Sequence, residues 1–298
     1  MPPEPSHDPL APEVFDLGRW DASVDQACRA KLQMALEEGR ILLMPRLAFA
    51  LTMKEQTVCD ARIVDNTSKN ISFDADTGAV SGASPEAGAI LKGMMTRFAA
   101  QSAALISALL PSYATSLETG RTSFRPVEVA GRTTSRLKDD TLLHVDAFPS
   151  RPVAGRRILR VFANINPTGK TRDWTIGEPF ESFSLRFLSR VKPFHPWQAM
   201  LLATVGITKA RRTAYDHLML GLHDAAKEDS AYQATAPKRP LAFPAGSIWI
   251  CFSDQVVHSA HSGQFAVEQT FYLPPAAMAA PERAPLSVLE RLAGRRLV

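Results

Sequence analysis

Five short apolar runs crowd the second half of this 298-residue chain: residues 141–148 (TLLHVDAF), 158–166 (ILRVFANIN), 247–252 (SIWICF), 255–260 (QVVHSA) and 266–273 (AVEQTFYL). They alternate in polarity or are rich in β-branched and aromatic residues, and Gly and Pro punctuate the gaps between them. Strands this short must pair with one another to bury a face. Twenty-two prolines, each fixing φ and removing a backbone donor, favour many short elements over long helices. Between the second and third runs lies a helical insertion over about 181–228, whose last helix is expected at 213–227. Strands, a helical insertion and then more strands predict a small β-barrel or folded-over sheet with helices packed outside.

The first half reads differently. Its opening twenty residues are proline-rich and expected to be poorly ordered. Val24, Ala27, Cys28, Leu32, Ala35 and Leu36 have helical spacing over 23–39, and a second helix is expected over 84–110, with Pro85 at its first position and Pro111 beyond its end. Short strands are expected at 41–43 and 71–73. The division that follows is an N-terminal helical region (1–118), a core (119–275) and an amphipathic tail (276–298) ending in a helix at 286–297.

Composition excludes several classes. Hydrophobic residues at 45% and charged residues at 21% are ordinary globular usage, which rules out a disordered or coiled-coil chain. A net charge of +4 is too small to imply a nucleic-acid partner. Cys28, Cys59 and Cys251 are odd in number and lack CxxC spacing, so neither a disulfide framework nor a zinc knuckle is expected, which suits a cytoplasmic protein. The opening residues lack the pattern of a secretory signal. The most apolar segment, 98–110, is shorter than the roughly 20 residues that cross a bilayer.

The strongest chemical signal is His144-Val145-Asp146. On a strand, residues i and i+2 share a face, so imidazole and carboxylate would project into one pocket. That is half of a 2-His-1-carboxylate set, which holds Fe(II) and leaves positions open. A later histidine must complete it, and His258 and His261 are the candidates. His258 is preferred because it continues the Val256-Val257 run, whereas His261 stands before Ser262-Gly263 and is expected in a turn. His217 and His223 lie on a predicted helix beside Asp216 and Asp224. Six positions apart, they do not share a helical face, and a solvated surface is the expectation for them.

The run KDDTLLHVDAFPSRP at 138–152 resembles the metal-binding strand of the Kdo hydroxylase family. RVFANINP at 160–167, GEPF at 177–180, YDHLML at 215–220 and EQTFYLP at 268–274 are similar to that family too, so the resemblance extends over about 121–274. It implies an α+β fold with a double-stranded β-helix (jelly-roll or cupin-like) core. It also implies an Fe(II)- and 2-oxoglutarate-dependent dioxygenase that uses O2, releases succinate and CO2, and hydroxylates C3 of 3-deoxy-D-manno-oct-2-ulosonic acid (Kdo) in the lipopolysaccharide inner core, giving Ko. In this reading His144, Asp146 and His258 are the catalytic iron ligands.

Many such dioxygenases carry an arginine about ten residues after the distal histidine, where this chain has Glu268. Arg160, in an apolar strand with Phe162 and Asn164 on its own face, is the candidate for the distal carboxylate of 2-oxoglutarate, and a salt bridge to Glu268 is the competing role for it. Asn164 and Thr141 are accessory cofactor-binding candidates. A basic stretch, Arg121, Arg125, Arg132, Arg136 and Lys138, precedes the metal segment, and Arg151, Arg156 and Arg157 follow it. Arg125, Arg136 and Arg151 are the candidates for binding an anionic Kdo-containing glycolipid, through guanidinium forks suited to carboxylate and phosphate. Peripheral contact with the cytoplasmic face of the inner membrane and formation of a homo-oligomer are compatible with this reading. The alternatives are a hydroxylase of a protein or small molecule on the same fold, and a non-catalytic barrel that binds anionic glycolipid.

Overall fold

The computed structural model describes residues 10–65 and 70–298. Its first part supplies strands β1 (Glu13–Val14), β2 (Leu42–Met44), β3 (Ile71–Asp74) and β4 (Ala79–Ser81), with helices α1 (Gln26–Glu37), α2 (Met53–Gln56) and α3 (Pro85–Leu109). Then come β5 (Glu118–Arg125), β6 (Arg157–Asn164) and β7 (Arg172–Ile176), followed by helices α4 (Phe180–Phe187), α5 (Pro196–Thr204), α6 (Ala214–Glu228) and α7 (Ser230–Thr235). The chain closes with β8 (Arg239–Phe243), β9 (Ile248–Phe252), β10 (His258–Ser262), β11 (Ala266–Leu273) and helix α8 (Pro285–Ala293). Eight strands form one sheet in the order β1-β2-β9-β6-β11-β5-β3-β4, and β10-β7-β8 form a second. The result is an α+β fold with a double-stranded β-helix core.

Strand β6 shows how the layers arise. Every one of its residues is buried, which requires cover on both faces. Leu159, Val161 and Ala163 point to one side, into a core shared with Leu91, Met94 and Phe98 of α3. That helix buries residues at spacings of three and four, the stripe a helix needs to lie on a sheet. The alternate residues Arg160 and Phe162 point to the other side, between the two sheets. There Phe162, Trp174, Phe243 and Trp249 pack in stacked and edge-on pairs with centroids 4.0–5.7 Å apart.

Several expectations need correction. The region before residue 118 is not only helical, because β1 to β4 extend the main sheet. Residues 1–9 of the proline-rich opening lie outside the described residues, but Glu13–Val14 is held as a strand against β2. Residues 141–148 are extended without being a strand, and only His144 makes a ladder bridge. Side chains replace the missing neighbour: Asp139 accepts from Thr141, and Gln233 both donates to and accepts from the Leu143 backbone. Strands β7 and β8 flank the insertion and carry too much charge and proline to show an apolar run. The final helix packs on the protein's own core, burying Val288 and Leu289 against α4 and α6.

Arg157 and Asp254 form a fully buried ion pair, with Arg157 Nε donating to Asp254 at 2.8 Å and Nη2 donating to Gln255 at 2.6 Å. Burial pushes the Asp254 carboxyl up in spite of Arg157. Replacing Arg157 by Leu strands that carboxylate, so the variant should lose about 3–5 kcal/mol of stability, measured from urea unfolding midpoints. A loss below about 1 kcal/mol would show that the pair contributes little beyond a hydrophobic substitute.

Candidate metal centre

His144 and His258 face each other across two backbone hydrogen bonds, His144 N to His258 O at 3.0 Å and His258 N to His144 O at 2.8 Å. Residues that exchange both bonds in an antiparallel pair send their side chains to the same face. The two imidazoles accordingly lie 4.8 Å apart between centroids. Each Nδ1 meets a backbone carbonyl two residues earlier, Leu142 O at 2.7 Å and Val256 O at 2.8 Å. A carbonyl only accepts, so each Nδ1 carries the proton and each Nε2 keeps its lone pair for the pocket. Asp146 is pinned by its own N–H donating to Ser253 O at 2.8 Å, and its Oδ1 lies 3.9 Å from His144 Nε2. The ligand atoms of His144, Asp146 and His258 all fall within 4.8 Å of one another.

A chain of alternating charge backs this cluster. Arg160 Nε stands 3.4 Å from Asp146, its Nη1 stands 3.4 Å from Glu268, and Arg125 grips Glu268 with two bonds at 2.9 and 3.0 Å. Burial alone would raise the Asp146 pKa, but Arg160, with His258, His144 and Ser253 adding to it, outweighs burial and holds the carboxylate well below its ordinary range. Burial pushes both imidazoles below their ordinary value, His144 furthest, with His258 adding to the effect on His144. The site is therefore an anion with two neutral imidazoles, the protonation state that coordinates a divalent ion. Asp146 Oδ2 and Arg160 Nε are buried without a hydrogen-bond partner. A carboxylate oxygen left unsatisfied beside two open Nε2 atoms fits a first-row metal.

Arg172 carries a second consequence. It projects from β7 into the same cleft as His144, Asp146, Arg160 and His258. Its Nη1 donates to Gly263 O at 2.9 Å, its Nε has no partner, and it makes no ion pair among the described residues. Burial, with Arg125 nearby, pushes its pKa down to about 10. A buried cation without an anion is costly, and an anionic ligand in the cleft would relieve it. This position was not among the sequence candidates. An arginine two residues before a tryptophan in TRDWTI is the only signal, and nothing local marks that stretch as a strand.

The other sequence candidates fall in different places. Asn164 donates to Lys170 O and Phe243 O, tying the sandwich together. Thr141 closes a turn with Asp139. Arg136 donates to Lys227 O and Ser230 Oγ. Arg151 lines a separate cavity of about 210 Å³ with Arg121, Arg156, Glu118 and Tyr272. His261 is skipped in the pairing of β10 with β7 and is exposed, away from the cluster. His223, expected on a solvated face, instead packs edge-on against the His144 ring at 5.3 Å. A cavity of about 410 Å³ between residues 38–40 and the start of α4 has none of these groups in its lining, so the chemistry marks the smaller cleft.

A family model described as 3-deoxy-D-manno-oct-2-ulosonic acid (Kdo) hydroxylase matches residues 19–296. Among solved structures, the Kdo hydroxylase KdoO, a non-heme Fe(II) α-ketoglutarate-dependent dioxygenase, superposes with a TM-score of 0.93 in its complex with α-ketoglutarate and Fe(III). That match has 45% identity and covers 97% of this chain and 98% of that one. The cobalt(II) complex gives 0.93 at 46% identity, with 97% of each chain covered. The complex with succinate and Fe(III) gives 0.92 at 44% identity, again with 97% of each chain covered. None of the curated proteins matches the chain.

Replacing Asp146 by Asn or His258 by Gln should weaken Co(II) binding about 100-fold or more, read from the cobalt absorption bands, while His261→Gln should leave it unchanged. Equal loss in the His261 variant would contradict the cluster. In the unfolded chain the imidazoles take up protons near about pH 6.5, in the folded chain only at lower pH. Stability and metal affinity should therefore be full above that range and fall as pH drops through and below it.

Proposed function

This chain belongs to the Kdo hydroxylase family, and from that premise we propose that His144, Asp146 and His258 hold the iron while Arg172 takes the distal carboxylate of 2-oxoglutarate. The protein is an Fe(II)- and 2-oxoglutarate-dependent dioxygenase that hydroxylates Kdo. When bound, iron and 2-oxoglutarate supply the oxidising power, with O2 consumed, succinate and CO2 released and one oxygen atom given to the substrate.

The chain's own residues supply orientation and charge. The Leu142 and Val256 carbonyls hold both imidazoles in the tautomer that presents Nε2. Arg160 keeps Asp146 anionic and in place, and Glu268 with Arg125 keeps Arg160 in place. Arg160, the sequence candidate for 2-oxoglutarate, already has two carboxylate partners, whereas Arg172 has none among the described residues. Trp174, stacked on the His258 ring at 4.9 Å, and Phe162 form an apolar wall that excludes water from that side. The observation that carries the assignment is the convergence of three ligand atoms within 4.8 Å beside a buried, unpaired guanidinium.

The target position is C3 of a Kdo residue, giving Ko, in a Kdo-containing glycolipid. The mixed guanidinium and carboxylate lining around Arg151, with the Tyr272 ring beneath Arg156, suits an acidic sugar rich in hydroxyls. Such a substrate lies at a membrane surface, and the enzyme would meet it at the cytoplasmic face as a peripheral protein. No helix among the described residues is long and apolar enough to cross a membrane.

Aerobic incubation with Fe(II), 2-oxoglutarate and Kdo2-lipid A should add one oxygen to a Kdo residue, seen by mass spectrometry, only when all three are present and not with His144→Ala. Succinate without oxidised glycolipid would remove the substrate; neither product from iron-loaded protein would remove the activity. Arg172→Ala should raise the KM for 2-oxoglutarate about 10- to 100-fold, the worth of one charge-assisted pair, with Co(II) binding intact. An unchanged KM would return that role to another arginine.

A further inference from the structure

Helix α5 is held at its ends and bare along its length. Before it, Lys192 O meets His217 Nε2 at 2.7 Å, and after it Lys209 N donates to Ser150 O at 2.8 Å. Of its own nine residues only Ala199 is buried. Trp197, Met200 and Leu201, at i, i+3 and i+4, share one face, and Val205 and Ile207 continue the patch. These five side chains are 53–61% exposed and are nearly half of the eleven large exposed hydrophobic residues among those described. A nine-residue helix is marginal in water without a face to bury, and an exposed apolar patch on this scale marks a contact surface.

The charges around the patch select its partner. From Glu181 to Asp216 the sequence holds six Lys and Arg residues and no acidic residue between them. Arg186 and Arg190 are paired with Glu178 and Asp229. Lys192, Lys209 and Arg211 are exposed and make no ion pair among the described residues. A second copy docking symmetrically through this face would bring cation against cation. An anionic bilayer instead offers a hydrocarbon boundary for Trp197, Met200 and Leu201 and lipid phosphates for the rim.

We propose that α5 and the turn to Ile207 form a membrane-docking element that inserts its apolar face into an anionic lipid surface. The placement serves the chemistry, and to that extent the proposal rests on the reading of the substrate as a membrane glycolipid. The turn after α5 is bonded to Ser150, and Arg212 donates to Pro149. Ser150 is only four residues, at most about 14 Å, from Asp146. Docking there would anchor to the lipid surface the segment that leads to Asp146. The C-terminal helix has already spent its apolar face on the protein's own core.

The test is co-sedimentation of the full chain with vesicles of three parts phosphatidylethanolamine to one part phosphatidylglycerol, without Kdo, against phosphatidylcholine vesicles. The wild type should bind the anionic vesicles and lose binding at high salt. Trp197→Ser with Leu201→Ser should reduce partitioning about tenfold or more. Lys209→Gln with Arg211→Gln should reduce it about fivefold for each charge. Turnover of a deacylated, water-soluble Kdo oligosaccharide should be unchanged in both, which reports intact folding. Wild-type protein that stays in the supernatant, or variants that partition as well as wild type, would overturn the proposal. So would a solution dimer abolished by the Trp197 and Leu201 changes. Because binding is measured without Kdo, vesicle binding without hydroxylation sinks the proposed activity alone, and hydroxylation without vesicle binding sinks the docking element alone.

Discussion

The site depends on one pair of backbone hydrogen bonds, those between His144 and His258. They set the register in which two residues 114 positions apart face each other, and the bonds from Asp146 N to Ser253 O and from Ala260 N to Asp140 O hold the same two segments together on either side. The bridge brings both rings to one face, and the carbonyls two residues earlier then fix which nitrogen each ring presents. Asp146 follows automatically, because a residue two positions along extended chain returns to the same face. What remains for side-chain packing is small. Trp174 supports one ring and His223 the other.

That economy has an electrostatic cost, and the neighbouring strands meet it. A buried aspartate beside neutral imidazoles needs a cation, a buried arginine needs an anion, and the series Asp146, Arg160, Glu268, Arg125 runs across β6, β11 and β5 with each charge answered by the next. Arg172 stands at the edge of this series unanswered. Its pKa is lowered by burial and by Arg125 nearby, and its Nε has no hydrogen-bond partner, so nothing in the cleft answers its charge as Asp146 and Glu268 answer Arg160. In the proposed function the two features divide the work: the paired series would position the metal ligands and the unpaired arginine would hold the co-substrate.

Much of this was legible in the amino-acid sequence, for reasons that differ by residue. His144 and Asp146 announce themselves because their spacing of two carries its meaning in any extended backbone. His258 is legible because it prolongs the apolar Val256-Val257 run, while His261 is set aside by the Ser-Gly that follows it. Glu268, found where an arginine is usual, directs attention to Arg160 as the 2-oxoglutarate residue, with a salt bridge to Glu268 as its competing role; the salt bridge is what forms, and Arg125, read from sequence as a substrate residue, grips Glu268 more closely. Arg172 is invisible because β7 is identified only by its neighbours: RDWTI alternates no better than a loop, and pairing with β8 and β10 makes it a strand. His223 is misread because helical spacing tells which residues share a face but not what that face meets. The extended stretch at 141–148 looks like a strand because its side chains are strand-like, yet Gln233 and Asp139 satisfy the backbone that a neighbour would have paired.

The most direct test is a crystal grown with Co(II) and 2-oxoglutarate, with diffraction recorded at the cobalt absorption edge. One anomalous peak is expected within coordination distance of Nε2 of His144, Nε2 of His258 and a carboxylate oxygen of Asp146, with the distal carboxylate of 2-oxoglutarate against Arg172. A peak at His261 or His223, or a co-substrate turned away from Arg172, would contradict the account.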